Sequence, residues 1–170
     1  MIVKGNEYPS TLEVAGERLA LLGAGLREKW WFDMYTMAAY SESGACHAGL
    51  AIATDEIKHI RIDMLRDLTA DKMAGALRKA LARNLQEDAS ADLRAQVETL
   101  LSYFQQDLAA GASLELTYVP GAGTTLWQNG TQQGAVQPGK ALADALWSCY
   151  FSSRTCCPGL KAEILASCAD

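Results

Sequence analysis

The stretch GAGLREKWWFDMYTMAAY, residues 23–40, carries the strongest strand signal in the chain together with a single arginine, Arg27. From Trp30 to Tyr40 the pattern has a period of two, with bulky side chains on both alternating faces. We therefore predict one strand that is covered on both sides. Arg27 enters this strand. A guanidinium stays charged at any working pH and offers a planar fork of donors, so Arg27 is a candidate binding group for a carboxylate or enolate oxygen.

Further strands are predicted on both sides of this stretch. Residues 11–14 and 19–22 surround a turn-like Ala-Gly-Glu segment and predict a hairpin. Residues 41–56 are rich in serine and glycine and predict a loop, whereas the alternation of residues 57–65 predicts another strand. Residues 114–128 contain two strand patterns separated by a Pro-Gly-Ala-Gly turn, which predicts a second hairpin.

Helices are predicted between and after these strands. Thr69 and Ser90 are candidate N-caps of two amphipathic helices, and later helical segments begin near Pro138 and Pro158. The order of strands, two helices, strands and helices predicts an α+β fold whose antiparallel sheet has helices packed on one face. With 49% hydrophobic residues spread over 170 positions, the chain is predicted to form a single domain, residues 1–170.

Composition argues against several classes of partner. The chain has 15 basic and 20 acidic residues, a net charge of -5 and no long basic run, so neither nucleic acid nor anionic lipid is an expected partner. No apolar run approaches the roughly 20 residues that span a bilayer, so stable membrane insertion is not expected. The N-terminus lacks the apolar region of a secretory signal, although Met1 is equally consistent with a signal that has been removed. Compartment and oligomeric state stay open.

The cysteines do not predict a metal site. Cys46, Cys149, Cys156, Cys157 and Cys168 form neither a CxxC pair nor a ladder of ligands, so we expect no metal and no cofactor. Buried free thiols are the first interpretation. The alternative is an oxidising compartment in which Cys149, Cys156 or Cys157 forms a disulfide with Cys168, and the odd total then leaves at least one thiol free.

Other prominent residues have simple structural interpretations. His47 and His59 have no matched serine, cysteine or carboxylate at a diagnostic spacing, so neither is predicted to be catalytic or to bind a metal. Arg27 itself has an alternative role as a surface partner of Glu28, Asp33 or Asp55. The four tryptophans are interpreted as packing residues: Trp30, Trp31, Trp127 and Trp147.

Several motifs, taken in order, resemble the chalcone isomerase-like family. They are GAGLR (23–27), MYTMAAY (34–40), IRIDMLRDLTADKM (60–73), YVPGAGTTLWQNG (118–130), and ALADALW (141–147) followed by PGLKAEIL (158–165). The resemblance implies an open-faced sandwich, in which helices lie against a large curved antiparallel sheet and enclose an apolar cleft. The family contains isomerases that close a chalcone into a flavanone and non-catalytic members that bind fatty acids. Bacterial relatives of this kind often look exported, so a periplasmic bacterial protein is one expectation.

The resemblance also implies which positions form the site. Arg27 matches the arginine shared by the family. Where the plant isomerases have a strand threonine, a helix tyrosine, an asparagine and a late hydroxyl, this chain has Tyr35, Met73, Ala80 and Cys149. Three of these four replacements remove hydrogen-bonding capacity. Because the loss of one donor to a developing oxyanion costs about 10²- to 10³-fold in rate, the replacements favour the fatty-acid-binding branch.

The leading hypothesis is a non-enzymatic protein that binds a fatty acid or similar small amphipathic acid. The carboxylate contacts Arg27 and Tyr35, whose phenol adds a second donor to the charged one. The tail lies along the apolar helix positions Met73, Leu77 and Ala80.

Two further hypotheses stay open. One is a chalcone isomerase-type lyase with an altered site, in which Arg27, Tyr35 and Cys149 act. The other is an interaction module whose cleft is filled by side chains, Trp31 among them. Tyr40 is an alternative ligand contact, but strand parity places it on the opposite face unless a bulge intervenes. Since eight residues of straight strand span about 26 Å, Arg27 and Tyr35 can share a ligand only if the chain bends or bulges between them.

Overall fold

The structure is a computed structural model that describes residues 1–136 and 139–166. Its elements in chain order are β1 (Ile2–Val3), β2 (Asn6–Glu7), β3 (Thr11–Val14), β4 (Glu17–Lys29), β5 (Phe32–Ser41), α1 (Ala48–Ala53), β6 (Lys58–Met64), α2 (Ala70–Asn84), α3 (Ala91–Ser102), β7 (Ser113–Val119), β8 (Gly123–Gln128), β9 (Thr131–Val136), α4 (Lys140–Phe151) and α5 (Pro158–Ala166). Strands β3 to β9 form one curved antiparallel sheet in which each strand pairs with the next, and β1 and β2 form a separate small hairpin. The predicted α+β architecture is confirmed. No helix within these two ranges is long and apolar enough to cross a membrane.

The long strands β4 and β5 form a hairpin that turns at Trp30 and Trp31. Lys29 pairs with Phe32 across this two-residue turn. The predicted single strand that runs through the tryptophans is therefore wrong, because the chain reverses direction there. As a result, Arg27 of β4 lies directly opposite residue 35 of β5.

The glycines of β4 make room for helix α5. A Cβ atom on Gly23 would collide with the backbone carbonyl of Ile164, and one on Gly25 would lie 2.8 Å from Cβ of Glu163. The Glu163 carboxylate also accepts a hydrogen bond of 2.7 Å from the backbone N–H of Leu26. The Gly-Ala-Gly motif therefore lets the last helix pack closely against the strand that carries the arginine.

The main sheet is buried on both faces by different partners. On β6, Ile60, Ile62 and Met64 point toward the helices and belong to the larger core, as predicted. On the opposite face, Tyr40 of β5 packs in a second cluster that includes Tyr8 of the N-terminal segment. Alternation along the strands therefore separates a helix-covered face, which holds most of the core, from an outer face covered by the N-terminal segment.

The helix boundaries largely follow the sequence signals. The side chains of Thr69 and Ser90 cap α2 and α3 as predicted, each accepting a hydrogen bond from a backbone N–H in the first turn. Pro158 begins α5, whereas Pro138 lies outside the described residues. The short helix α1 lies within the predicted loop, and its six residues are too few to give a clear periodic pattern.

The cysteines differ from the expected arrangement. Cys156 and Cys157 are joined in a disulfide between adjacent residues. Cys149 is a free thiol and is completely buried. The first interpretation, buried free thiols, is confirmed for Cys149 and is wrong for Cys156 and Cys157. The alternative disulfides from these three residues to Cys168 are also wrong, and Cys168 itself lies outside the described residues.

Candidate binding pocket

A pocket of about 730 Å³ opens between the β4–β5 hairpin and helix α2, and the loop that joins α4 to α5 closes one side of it. This volume falls within the range of about 300 to 1,000 Å³ that is usual for small-molecule sites. The disulfide of Cys156 and Cys157 forms part of the loop wall. Sequence reasoning expected the cleft but not this wall.

Arg27 and Tyr35 lie together at the hairpin side of the pocket. They occupy directly paired positions on neighbouring antiparallel strands, so their side chains share one face of the sheet. No bend within a strand is needed to bring them together, because the turn at the tryptophans does so. The geometric difficulty in the sequence-based hypothesis is resolved by the hairpin.

Arg27 keeps most of its binding capacity available. One guanidinium nitrogen donates a hydrogen bond of 2.9 Å to the backbone carbonyl of Glu28. Within residues 1–136 and 139–166, no carboxylate lies at ion-pair distance from this guanidinium. Two acids considered as surface partners have other contacts, since Asp33 pairs with Lys4 at 2.9 Å and Asp55 accepts from the hydroxyl of Tyr118 at 2.7 Å.

Two phenols, those of Tyr35 and Tyr150, lie near Arg27, and the thiol of Cys149 lies near both phenols. Burial raises the pKa of Tyr35 to about 12, an effect that the nearby charge of Arg27 partly offsets. Burial raises the pKa of Tyr150 of α4 well above the ordinary value, and the nearby phenol of Tyr35 adds to this shift. Burial also raises the pKa of Cys149 to about 12, and its thiol donates to the carbonyl of Ala145 at 3.3 Å. All three groups are therefore protonated at neutral pH.

Tyr150 is a site residue that the sequence reasoning missed. It lies four positions after the buried Leu146, so it falls on the inward face of α4. A tyrosine on a buried helical face usually has a partner for its hydroxyl, and this was the signal available in the sequence.

The helix wall of the pocket is apolar. Met73, Leu77 and Ala80 follow one another at four- and three-residue spacing, so they lie on one face of α2. All three are buried. Met34 of β5 and Leu68, which precedes α2, extend this apolar lining. The three predicted helix positions thus contribute both to the core and to the pocket wall.

The edge of the pocket is cationic. Lys72, Lys79 and Arg83 lie on one stripe of α2, and Lys29 lies at the end of β4. With Arg27 they make five cations among the described lining residues, which include no carboxylate. This local excess contrasts with the net charge of -5 for the whole chain. The sequence reasoning missed these residues, because they do not form a consecutive basic run and Lys29 belongs to a different element.

Two residues proposed for the cleft lie elsewhere. Tyr40 belongs to the outer face, where its hydroxyl donates to the carbonyl of Pro9 at 3.2 Å and its ring centroid lies 6.1 Å from that of His59. The prediction that Tyr40 is an alternative ligand contact is therefore wrong, because the bulges of this hairpin do not bring Tyr40 to the pocket face. Trp31 is 91% exposed and does not fill the cleft.

The outer face holds a second polar cluster, whose members bond to one another. The hydroxyl of Tyr8 donates to Asp63 at 2.8 Å and lies 2.6 Å from the hydroxyl of Thr36. Arg61 donates to both carboxylate oxygens of Asp63 at 3.0 to 3.2 Å. Burial, helped by the charge of Arg61, lowers the pKa of His59 to about 4. Among the described residues, no group of three or more His, Cys, Asp or Glu side chains could hold a metal ion.

Comparison with known proteins identifies the family. The chalcone isomerase-like family profile matches residues 1–166. The chain belongs to the chalcone isomerase-like family. A search of curated protein sequences finds no match to this chain.

Among solved structures, this chalcone isomerase-like protein is similar to a fatty-acid-binding protein of Arabidopsis thaliana. The TM-score is 0.76 and the sequence identity is 18%, and the match covers 96% of this chain and 93% of the plant protein. At this level of identity, the similarity shows a shared fold. The motif-based resemblance and the expected curved sheet with helices are therefore confirmed.

Proposed function

We propose that this chalcone isomerase-like protein binds a fatty acid, or a similar small amphipathic acid, without converting it. The carboxylate contacts Arg27 and Tyr35, and the tail follows the apolar wall of Met73, Leu77 and Ala80. One observation carries the proposal: an arginine with no carboxylate partner in the described part of the chain lines a pocket whose helix wall is apolar.

The chemistry of the two anchoring residues matches a carboxylate. Arg27 provides a permanent positive charge and several N–H donors, which form strong charge-assisted hydrogen bonds with an anion. Tyr35 keeps its proton at neutral pH because its pKa is raised to about 12, so it can donate to the second carboxylate oxygen. The other four cations of the rim add long-range attraction, three of them from α2 and Lys29 from the hairpin.

The size and lining of the pocket support a ligand with a hydrocarbon tail. A volume of about 730 Å³ is ample for a small amphiphile, and removal of its tail from water favours binding by about 25 cal/mol per Å² of apolar surface. The Arabidopsis thaliana protein that shares the fold is a fatty-acid-binding protein. This supports the same class of ligand here.

The absence of conversion is argued from the donors around the cleft. A ring closure that passes through an enolate needs donors aimed at the developing charge. Met73 and Ala80 provide none, and the thiol of Cys149 is committed to a backbone carbonyl. These features support binding over catalysis.

An isomerase is the second candidate, and one observation favours it. The phenol of Tyr150 lies near Tyr35 and Arg27 and is a second phenolic donor close to the pocket. Its test is the formation of flavanone from several chalcones at high protein concentration. An acceleration that disappears in Arg27→Met would establish this second candidate and contradict the non-catalytic proposal.

The binding proposal is tested with the purified protein. Solvent extraction followed by mass spectrometry should recover a fatty acid, and added fatty acid should raise the melting temperature of the delipidated protein. Arg27→Met should weaken the affinity about tenfold to a hundredfold, because a charge-assisted hydrogen bond is lost. Arg18→Met is the matched control, since Arg18 lies exposed at the opposite end of the same strand. The absence of both recovered lipid and a fatty-acid-dependent melting shift would contradict the proposal.

A further inference from the structure

The β4–β5 hairpin ends in an exposed aromatic tip, formed by Trp30, Trp31 and Phe32. Their exposed fractions are 80%, 91% and 47%. Trp30 also has a φ of 59°, which is in the left-handed region that non-glycine residues rarely adopt. Large aromatic side chains are usually among the more buried residues of a soluble domain, so three consecutive exposed rings need an explanation.

Neither packing nor turn formation explains the two tryptophans. They bury little surface, so their contribution to the core is small. Two-residue hairpin turns favour Asn, Asp and Gly at such positions, because these residues adopt positive φ at low cost. A tryptophan therefore adds strain to the turn and little packing. The two tryptophans are therefore best explained by a function at the protein surface.

Cations lie beside the rings of this tip. The Nζ atom of Lys29 is 5.6 Å from the ring centroid of Trp30, and the guanidinium carbon of Arg66 is 4.2 Å from that of Phe32. Tryptophan together with lysine or arginine is typical of the interface between a bilayer and water. There the indole lies at the level of the headgroups, and the cation contacts the phosphates.

The aromatic tip adjoins the cationic rim of the pocket. Lys29 belongs to both features, since it flanks the turn and lines the pocket with Lys72, Lys79 and Arg83 of α2. Of the two acids next to the tip, Asp33 forms an ion pair with Lys4 at 2.9 Å. Asp33 foremost, and Glu28 to a smaller extent, raise the pKa of that lysine. The chain has no long basic run, so the positive surface arises only when β4 and α2 come together in the fold.

We propose that the aromatic tip docks the protein reversibly on a lipid surface that contains anionic lipids, with the mouth of the pocket close to that surface. The two indoles enter the headgroup region, and the rim cations meet the lipid phosphates, each contributing electrostatic attraction that salt weakens. The positive charge of the rim complements the negative charge of the anionic lipids. The protruding two-residue turn suits shallow insertion into the headgroup region. Docking would let the pocket exchange a fatty acid with the membrane, and this role rests on the proposed function.

The test measures binding to vesicles without any added fatty acid. Wild-type protein should sediment with phosphatidylcholine vesicles that contain phosphatidylglycerol, and its tryptophan emission should shift to shorter wavelength. Binding should weaken in high salt and with pure phosphatidylcholine. The double variant Trp30→Ser with Trp31→Ser should bind at least about tenfold more weakly, because apolar burial at the surface is lost. The control Leu50→Ser removes another exposed apolar residue, 48% exposed and located on α1, and should leave binding within about twofold.

Three outcomes would overturn the docking proposal. These are no sedimentation of the wild type, equal binding by the double variant, or a dimer in ultracentrifugation that the double variant abolishes while vesicles bind neither form. The last outcome would identify the tip as an interface between protein copies. Fatty-acid titration in the absence of vesicles separates the two proposals, because docking can succeed while fatty-acid binding fails. Double-variant protein that still binds fatty acid normally in solution also shows that the pocket is folded.

Discussion

The two faces of the sheet carry arginines in opposite situations. On the outer face, Arg61 contacts both oxygens of Asp63, which in turn accepts from the hydroxyl of Tyr8. On the helix face, Arg27 donates to a single backbone carbonyl and otherwise borders a pocket. The difference indicates that Arg61 contributes to the stability of the fold, whereas Arg27 is available to a ligand.

The largest expected effect on stability lies on the outer face. Asp63→Ala removes the acceptor of both Arg61 and Tyr8, and should lower the free energy of unfolding by about 2 to 3 kcal/mol. Urea denaturation measures this change. Fatty-acid affinity should stay within about twofold of the wild type. The control Asp88→Ala alters an exposed acid and should cost less than about 0.5 kcal/mol. A loss of ligand affinity in Asp63→Ala under conditions where the variant is folded would show that the two faces are not independent.

The outer face should also make stability depend on pH. The folded-state pKa of His59 is about 4 and its ordinary value is 6.5, so the unfolded chain binds more protons between these values. His59 therefore contributes stability that is fully present above about pH 6.5 and is lost as the pH falls toward 4. Glu115, whose carboxylate is 3.7 Å from the imidazole and whose pKa is raised by burial, offsets part of this loss.

Comparison with His59→Asn isolates the contribution of the histidine. Between pH 7 and pH 4.5, the wild type should lose about 2 kcal/mol more than the variant, measured by urea denaturation at each pH. If the free energy of unfolding depended on pH equally in both proteins, His59 would be solvated. The outer face would then not be the tightly packed, structural face of the sheet.

A smaller effect is expected when the pocket itself is narrowed. Ala76 lines the pocket but is exposed, so Ala76→Trp should obstruct the cavity without disturbing the core. We expect fatty-acid affinity to fall about tenfold, measured by calorimetry, with little change in melting temperature. Ala82→Trp is the control, because Ala82 is exposed on the same helix and faces the separate groove beside α3. Equal effects of both substitutions, or no effect of either, would place the ligand elsewhere.

The framework of the fold could be predicted from the sequence because its signals are local. Thr69 and Ser90 each precede an apolar helical stripe, and capping needs only the next few backbone N–H groups. The later strands are separated by glycine-rich turns that leave few alternatives. The glycines of β4 were visible as a motif, but their contact with α5 depends on residues far away along the chain.

The hairpin that builds the site could not be predicted from alternation. Across the turn, Lys29 and Phe32 share a face although they are three residues apart, so the parity of the pattern reverses there. The consecutive aromatic residues Trp30, Trp31 and Phe32 run through the reversal and hide it. The turn also lacks the residues that normally mark one, since Trp30 holds the positive φ.

The site itself was only partly visible in the sequence. Arg27 was singled out by its chemistry and its place before the aromatic run, and the family resemblance added Tyr35, Met73 and Ala80. Tyr150 was missed because only the apolar members of the α4 stripe were considered, and the rim cations were missed because charge was judged by runs along the chain. Such features depend on which helices meet the hairpin, and no local pattern contains that information.

The most direct test of the central claim, that Arg27 binds the head group of an acid, is a calorimetric comparison of two ligands on two proteins. A saturated fatty acid and the primary alcohol of equal chain length are titrated into the wild type and Arg27→Met. If the claim is correct, the substitution should weaken binding of the acid about tenfold to a hundredfold, and binding of the alcohol by less than about threefold. Equal losses for both ligands, or no loss for the acid, would contradict it.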